Sequence, residues 1–574
     1  MHVHRPPSFA ATVLLGVFYC TLFCAVAGRA QSLDGHWGPA SVTAEATAAA
    51  PLRLHSALST SPLHVLDRAE EGARAELDAL VAWNAARRRP PKNGFVRPLA
   101  EPLSVRLTSS LAGRSAETRF AGGYLADAEP GWLSWGTHVR IAGAHRVRLH
   151  LTDVRLPAGS RLAVWTPGDQ PQRFGLEMLA QHGGLWTPSV LGESLVFEVD
   201  VPVAALGASG DQSRPFGFDL REVLEIVDLS PQPSRSSTAA TDSSCIVDAS
   251  CESDADLPNI DAYRHAVAQL QFVVPGRGGF LCTGSLLADQ AHDSIPYLLT
   301  ANHCIGDQDT AASLEAFFDF DTATCNGTKP LESRMPHSNG ATLLATGDAN
   351  TSSDFAFLRL SSLPAGRFLL GWNSDASALH DGTPLFRLSH PAPDGFPLAL
   401  SYSQYTYDPT FPGCTGINAP RFLYQRSVTG ASAGGSSGSA ILLGNGQVVG
   451  QLRGGCGSDP SNFCDTANND DFDGAFAVTF PAVKQYLNPG GGGGGGGNTL
   501  KTAKGRITAL TRPARLISVL AGTKTLKINV PTTTVITKGG QTVAFNVVRI
   551  GQQVTVTYKV VSGANVAQTM VIAP

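Results

Sequence analysis

The chain has no cysteine between residues 25 and 244, none after 464, and no Asp or Glu from residue 498 to its end. Lysine is scarce, and no paired Cys-x-x-Cys or Cys/His knuckle occurs. The last absence excludes the usual zinc folds, and no cofactor is expected. A net charge of −4 over 574 residues gives no sign of a nucleic-acid binder. Aromatics are modest at 7%, while Gly (60) and Pro (37) are plentiful. That balance favours turn-rich β folds over helical bundles.

Two features stand out against that background. Basic Arg5 precedes an apolar run over residues 9–27, and Ala25, Ala27 and Ala30 offer small-residue cleavage positions. This reads as a secretory signal, with no membrane attachment once it is removed. Cys20 and Cys24 lie in that run; the remaining cysteines are Cys245, Cys251, Cys282, Cys304, Cys325, Cys414, Cys456 and Cys464. An even set confined to one segment of an exported chain reads as a disulfide framework, whose connectivity the sequence leaves open.

Composition divides the chain into a signal at 1–27, an N-terminal region at 28–240, a cysteine-bearing domain at 241–489, an unbroken glycine tract at 490–497, and a basic unit at 498–574. Within the second, residues 67–88 form a candidate helix with Leu77, Leu80 and Val81 on one face. Short alternating strands follow over 103–228, as in Val147-Arg148-Leu149-His150-Leu151, separated by turns such as Pro167-Gly168-Asp169. These suggest a β-sandwich. Residues 229–244 are polar and lack any apolar period, an exposed linker of the kind proteases cut. The last unit alternates again, over residues 525–530 and 554–560, and predicts a small basic β-barrel or sandwich. An anionic surface or polymer is its candidate partner, a neutral spacer the plain alternative.

Three segments of the cysteine-bearing domain carry chemistry: Leu299-Thr300-Ala301-Asn302-His303-Cys304, Ser353-Asp354-Phe355, and Gly435-Ser436-Ser437-Gly438-Ser439. A serine hydroxyl is a weak nucleophile until an imidazole takes its proton. The imidazole needs a carboxylate to fix its tautomer and stabilise its charged form. Glycines beside the serine let backbone N–H groups turn toward a developing oxyanion. His303, Asp354 and Ser437 are therefore the expected triad, with the N–H groups of Gly435 and Ser437 as the oxyanion hole. Taken singly, each has a plain structural reading; the order His, Asp, Ser on strand ends makes the catalytic one.

These segments, with Cys282-Thr283-Gly284-Ser285-Leu286 and Val449-Gly450-Gln451-Leu452-Arg453-Gly454-Gly455, resemble bacterial trypsin-like serine proteases, lysyl endopeptidases most closely. The resemblance spans about 245–487. It implies an all-β catalytic domain of two six-stranded antiparallel barrels with the site between them. It also implies the pairs Cys282–Cys304, Cys251–Cys325, Cys245–Cys464 and Cys414–Cys456. Residues 103–228 look like the β-rich propeptides of such enzymes, the alternative being a permanent carbohydrate- or protein-binding sandwich. Animal trypsins have an Asp just before the nucleophile to receive a new N-terminus; here it is Ser436, so activation by removal of a covering segment is expected.

For the substrate pocket the resemblance points to Asp471, in Asp470-Asp471-Phe472-Asp473-Gly474, as the carboxylate that meets a Lys or Arg side chain. Arg453 and Gly454 are expected at the rim, and Ala431 stands where trypsins have their pocket Asp. The rival readings are a solvated acidic loop and a calcium loop, though Phe480 stands where the latter needs its Glu. The expected function is a secreted serine endopeptidase acting on proteins or peptides after basic residues. Its alternatives are acidic or apolar specificity and a catalytically silent binding protein on the same fold.

Overall fold

Valine, isoleucine, leucine and aromatic residues recur at strand spacing between Gly, Pro and Asp turns along most of the chain, and the molecule is accordingly built of antiparallel strands. The computed structural model describes residues 31–37, 54, 58–67, 70–85, 90–227, 229, 243–488 and 501–573, with short omissions inside these ranges such as 177–183, 207–214 and 415–419. The signal-like run, most of the 229–244 linker and the glycine tract lie outside the described residues.

Helix α1 (Glu70–Ala85) opens the N-terminal region. It buries Leu80 and Asn84 and leaves Val81 exposed. The stripe differs from the expected Leu77, Leu80, Val81 face because Trp83 and Asn84 are drawn inward. The Trp83 indole donates to the Pro90 carbonyl (3.4 Å), and the Asn84 amide donates to that of Lys92 (2.9 Å). Long strands follow: β1 (Lys92–Leu107), β2 (Trp132–Ile141), β3 (Arg146–Arg155), β4 (Ser194–Pro202) and β5 (Phe216–Ile226). Strand β5 pairs with both β1 and β3 in one sheet, and β4 pairs with β2 in another. The two sheets close on a common core in which Trp135, Phe197, Phe218 and Leu149 are fully buried. Edge-to-face contacts among Trp135, Phe197 and Phe218 fix their register across it.

The next six strands are β6 (Val267–Val274), β7 (Gly278–Leu287), β8 (Tyr297–Thr300), β9 (Glu315–Phe318), β10 (Ala341–Gly347) and β11 (Phe355–Leu360). Their pairing runs β9–β6–β7–β8–β11–β10. The ring closes where residues 337–339, just ahead of β10, pair with β9. A second ring holds β12 (Pro384–Ser389), β13 (Ser401–Tyr407), β14 (Phe422–Thr429), β15 (Ala440–Leu443), β16 (Val448–Gly457) and β17 (Asn469–Ala475). It closes in the order β12–β13–β14–β17–β16–β15. Helix α2 (Phe476–Leu487) follows and packs Phe476, Phe480, Val483 and Leu487 into the core that both rings share.

Two structural continuities place the site. Strand β1 pairs with the start of β7, so one sheet of the N-terminal sandwich runs on into the first barrel. Disulfides join Cys282–Cys304, Cys251–Cys325, Cys245–Cys464 and Cys414–Cys456. The C-terminal unit is a third, smaller barrel of β18 (Lys501–Thr511), β19 (Leu516–Ala521), β20 (Lys524–Asn529), β21 (Gln553–Val561) and β22 (Ala564–Ile572). It closes through a parallel pairing of β20 with β22.

Candidate active site

Strand β8 is fully buried and delivers its last residues to the edge of the first barrel, where Ala301-Asn302-His303-Cys304 turns away from it. The Cys282–Cys304 bond ties that turn to β7. Asp354 stands at the start of β11 with φ +54°, a left-handed backbone that few non-glycine residues adopt. Its neighbours hold it there: the Gln451 amide donates to the Ser353 carbonyl (2.7 Å), and the Ser353 hydroxyl meets Thr479 Oγ1 (2.8 Å).

That backbone aims both carboxylate oxygens at His303. Oδ2 lies 2.6 Å from His303 Nδ1, and Oδ1 accepts the His303 backbone N–H at 3.0 Å. Asp354 is 1% exposed, whereas the His303 side chain remains 19% exposed and lines the cleft. A buried carboxylate on Nδ1 leaves Nε2 as the nitrogen available to a reacting group.

Ser437 comes from the second barrel, on the turn before β15. Gly435 (φ +96°) and Gly438 (φ +82°) flank it. A Cβ on Gly438 would lie 2.1 Å from Thr300 Oγ1, and one on Gly435 would lie 2.8 Å from both Ala392 N and His390 O. Only glycine fits either place. The Ser437 carbonyl accepts the N–H of Thr283 on β7, which seats the turn against the first barrel (2.9 Å). Among the described residues no acceptor takes the N–H of Gly435 or Ser437. Ser436 points the other way: it is fully buried, and its hydroxyl accepts from Ser389 (3.0 Å).

His303 and Ser437 open onto one cavity of about 500 Å³, whose wall includes Ala431, Ser432, Arg453, Gly454, Asp470 and Asp471. Asp471 lies deep in it, 8% exposed, accepting from the Tyr405 hydroxyl and the Ser432 hydroxyl, each at 2.8 Å. Behind it the fully buried Arg387 is forked onto Asp473 (2.9 and 3.0 Å) and donates to the Ser439 carbonyl (3.0 Å). Its Nε is 3.9 Å from Asp471. Arg387 is held firmly charged despite burial, chiefly by Asp473. Arg387 thus gives its hydrogen bonds to Asp473, while Asp471 is hydrogen-bonded by two hydroxyls and meets Arg387 only at the longer distance of 3.9 Å. Burial, reinforced by the charge of Asp471, pushes the Asp470 carboxyl up to about 8.

Arg453 was expected at the pocket rim. It lines the cavity, but its Nε also lies 3.1 Å from Asp354 Oδ2, the oxygen that meets His303. Sequence reasoning missed Tyr405, Ser432, Asp470 and Arg387. Tyr405 and Arg387 read as ordinary strand residues, and only the fold brings them against Asp471. The calcium-loop reading fails because residues 469–475 form a strand paired on both sides, leaving no loop to wrap an ion.

Two closed barrels, a His–Asp pair on one and a glycine-flanked serine on the other, with a cavity between, make the architecture of a trypsin-like serine protease. Residues 239–473 match the family model described as lysyl endopeptidase, C-terminal domain. A lysyl endopeptidase of Pseudomonas aeruginosa is 28% identical over 316 residues, which are 53% of this chain and 63% of that relative. The chain thus spans less than two thirds of that relative's length. Among solved structures, the inactivated protease paralogue S-I1 of the scabies mite is 15% identical, with a TM-score of 0.29 and coverage of 39% of this chain and 95% of that one. The HtrA-type protease AlgW with tripeptide is also 15% identical, with a TM-score of 0.27 and coverage of 55% and 96%.

Proposed function

We propose that residues 241–489 are an exported serine endopeptidase that cleaves polypeptides after Lys or Arg through an acyl-enzyme. The observation that carries this reading is the convergence of His303–Asp354, Ser437 and a buried Asp471 on one cavity. Ser437 Oγ attacks the scissile carbonyl while His303 Nε2 takes its proton, and Asp354 holds Nδ1–H and stabilises the imidazolium. The N–H groups of Gly435 and Ser437 receive the oxyanion. The C–N bond then breaks, and His303 returns the proton to the leaving amine. Water repeats the sequence on the ester, releasing the new carboxylate and restoring Ser437.

The specificity reading rests on Asp471, a carboxyl on the cavity wall that is hydrogen-bonded by two hydroxyls and that an ammonium or guanidinium can pair. The name of the Pseudomonas relative favours lysine. The chain's own linker favours arginine as well: Arg235 is its only basic residue between Arg221 and Arg264. A self-processing enzyme must accept Arg there, so Arg is expected to be cleaved at least as well as Lys. A fluorophosphonate probe should label Ser437, and Ser437→Ala should lower kcat by about 10⁴-fold or more on a basic peptide amide. Labelling that survives Ser437→Ala, or a wild-type chain that neither labels nor hydrolyses, would reduce the domain to a binding protein.

A further inference from the structure

The leaving-group side of the cleft is already occupied by the chain itself. Residues 91–94 run antiparallel along the first half of β7, Lys92 opposite Phe280 and Gly94 opposite Gly279. The Leu281 N–H donates to the Pro91 carbonyl at 2.9 Å. Gly278 and Gly279 permit this approach: a Cβ on the first would lie 2.4 Å from the Gly94 carbonyl, and one on the second 2.5 Å from Asn93 Oδ1. The buried Pro91 ring reaches Gly434, three residues ahead of the nucleophile, where a Cβ would lie 3.0 Å from it.

The polarity is that of a substrate. Two residues beyond Leu281, Thr283 donates to the Ser437 carbonyl, so moving along β7 from Gly279 to Thr283 approaches the nucleophile. The strap runs the opposite way, so its N-terminal end points at Ser437 and its C-terminal end leads off. A peptide with its carbonyl at Ser437 would send its leaving half along that edge in that direction. Main-chain pairing to an exposed strand edge is how extended peptides gain affinity.

Helix α1 clamps the strap from outside. The Asn84 side chain accepts the Lys92 N–H (2.7 Å) and donates to the Lys92 carbonyl (2.9 Å), standing in for a second strand. Trp83 packs edge-on against Phe280, with ring centroids 6.2 Å apart. Lys92 Nζ lies 5.8 Å from the Trp83 ring and 5.9 Å from the Phe280 ring.

We propose that residues 90–94 are a built-in occupant of the leaving-group side of the cleft, a strap that keeps extended polypeptides off β7 until the N-terminal region is removed. This rests on the protease reading above. The strap suits the role because Pro90 and Pro91 have no N–H to give the Leu281 carbonyl. It therefore holds the edge with half of a substrate's pairing and depends for the rest on α1 at Lys92 and on the end of β5, where the Val227 N–H donates to the Asn93 carbonyl (3.0 Å).

The test compares the full chain with a Trp83→Ala/Asn84→Ala chain on two substrates: a peptide running several residues past its Arg, and an arginine aminocoumarin amide with no leaving-side residues. A tethered strand acts at an effective concentration on the order of mM, so its release should raise kcat/KM for the long peptide by about 10²-fold more than for the amide. Equal gains, or none, overturn the proposal. A synthetic peptide of residues 84–97, added in trans to the substituted chain, should restore the block by competing with the long peptide; failure to compete also counts against it. Amide exchange at Leu281 in a Ser437→Ala background needs no catalysis and should accelerate on the double substitution; an unchanged rate overturns the strap. Absence of hydrolysis in every form would instead sink the protease reading, with the exchange measurement still deciding the strap.

Discussion

Asp470 and Asp471 are consecutive, yet their carboxyls meet different partners: Asp471 meets two side-chain hydroxyls, and Asp470 meets backbone N–H groups. Asp471 is stabilised by Tyr405 and Ser432, whereas burial and that neighbouring charge hold the Asp470 proton up to about 8. Above that value the pocket gains the negative charge of Asp470. Raising pH through about 8 should therefore strengthen binding of a Lys or Arg side chain. Expressed as the kcat/KM ratio of an arginine amide to a norleucine amide, which cancels the titration of the triad, the gain should be about 3–10-fold. Asp470→Asn should flatten that rise, and Asp471→Asn should abolish the basic preference by leaving a substrate cation buried without a counter-charge. A ratio that stays flat in the wild type, or a preference for acidic residues, would shift the specificity to Arg453.

At the scale of elements, the segments proposed to carry the chemistry could be picked out because each couples its candidate residue to a local necessity. The His303 turn follows a buried strand, Tyr297–Thr300, and Gly435 and Gly438 flank a serine where a Cβ has no room. The pocket was only half legible. Asp471 came through the resemblance, but Tyr405 and Ser432 reach it across barrel closure, which no local pattern encodes. The same holds for the C-terminal barrel: its alternating strands could be read, but the parallel contact of Ile528 with Asn565 that closes it could not. Lys504, Arg506 and Lys527 are exposed on its outer face, while Phe545 and Tyr558 are buried, which leaves charge without a stacking platform. The full chain should therefore bind a sulfated polysaccharide at low ionic strength and release it as salt rises past about 0.15 M, where the screening length is about 8 Å. A chain ending at residue 489 should not bind. Retention that is indifferent to salt or to the truncation would leave the barrel a spacer.

Across the whole molecule, the sandwich meets the first barrel through charges as well as through β1. Arg148, 1% exposed, donates to the Ser313 carbonyl (2.8 Å) and lies 3.5 Å from Glu315, which accepts the Ser189 N–H (2.7 Å). Burial opposes the Glu315 charge, but Arg148 and Arg146 overcome it and hold the carboxyl below its ordinary range. A depressed carboxylate stabilises above its unfolded pKa, and that contribution is lost as pH falls through the folded value. Once the 229–244 linker is cut, the sandwich should stay with the barrels at neutral pH and part from them in acid. Glu315→Gln, which strands a buried arginine, should weaken the association by about 3 kcal/mol, or roughly 10²-fold. Co-elution of the two parts with unchanged affinity in that variant would mean that β1 alone holds them together.

The Cys245–Cys464 bond closes a loop of 219 residues, and the other three disulfides all lie inside it. All of the two large barrels except β17 is therefore strung on a covalent hoop, with β17 and α2 following it beyond Cys464. Trimming from the N-terminal side halts at Cys245 instead of eating into the barrels, whereas trimming from the other end meets α2 and β17 before it reaches Cys464. The weak point moves to chemistry: one thiol that reaches Cys245 or Cys464 turns the hoop back into a thread.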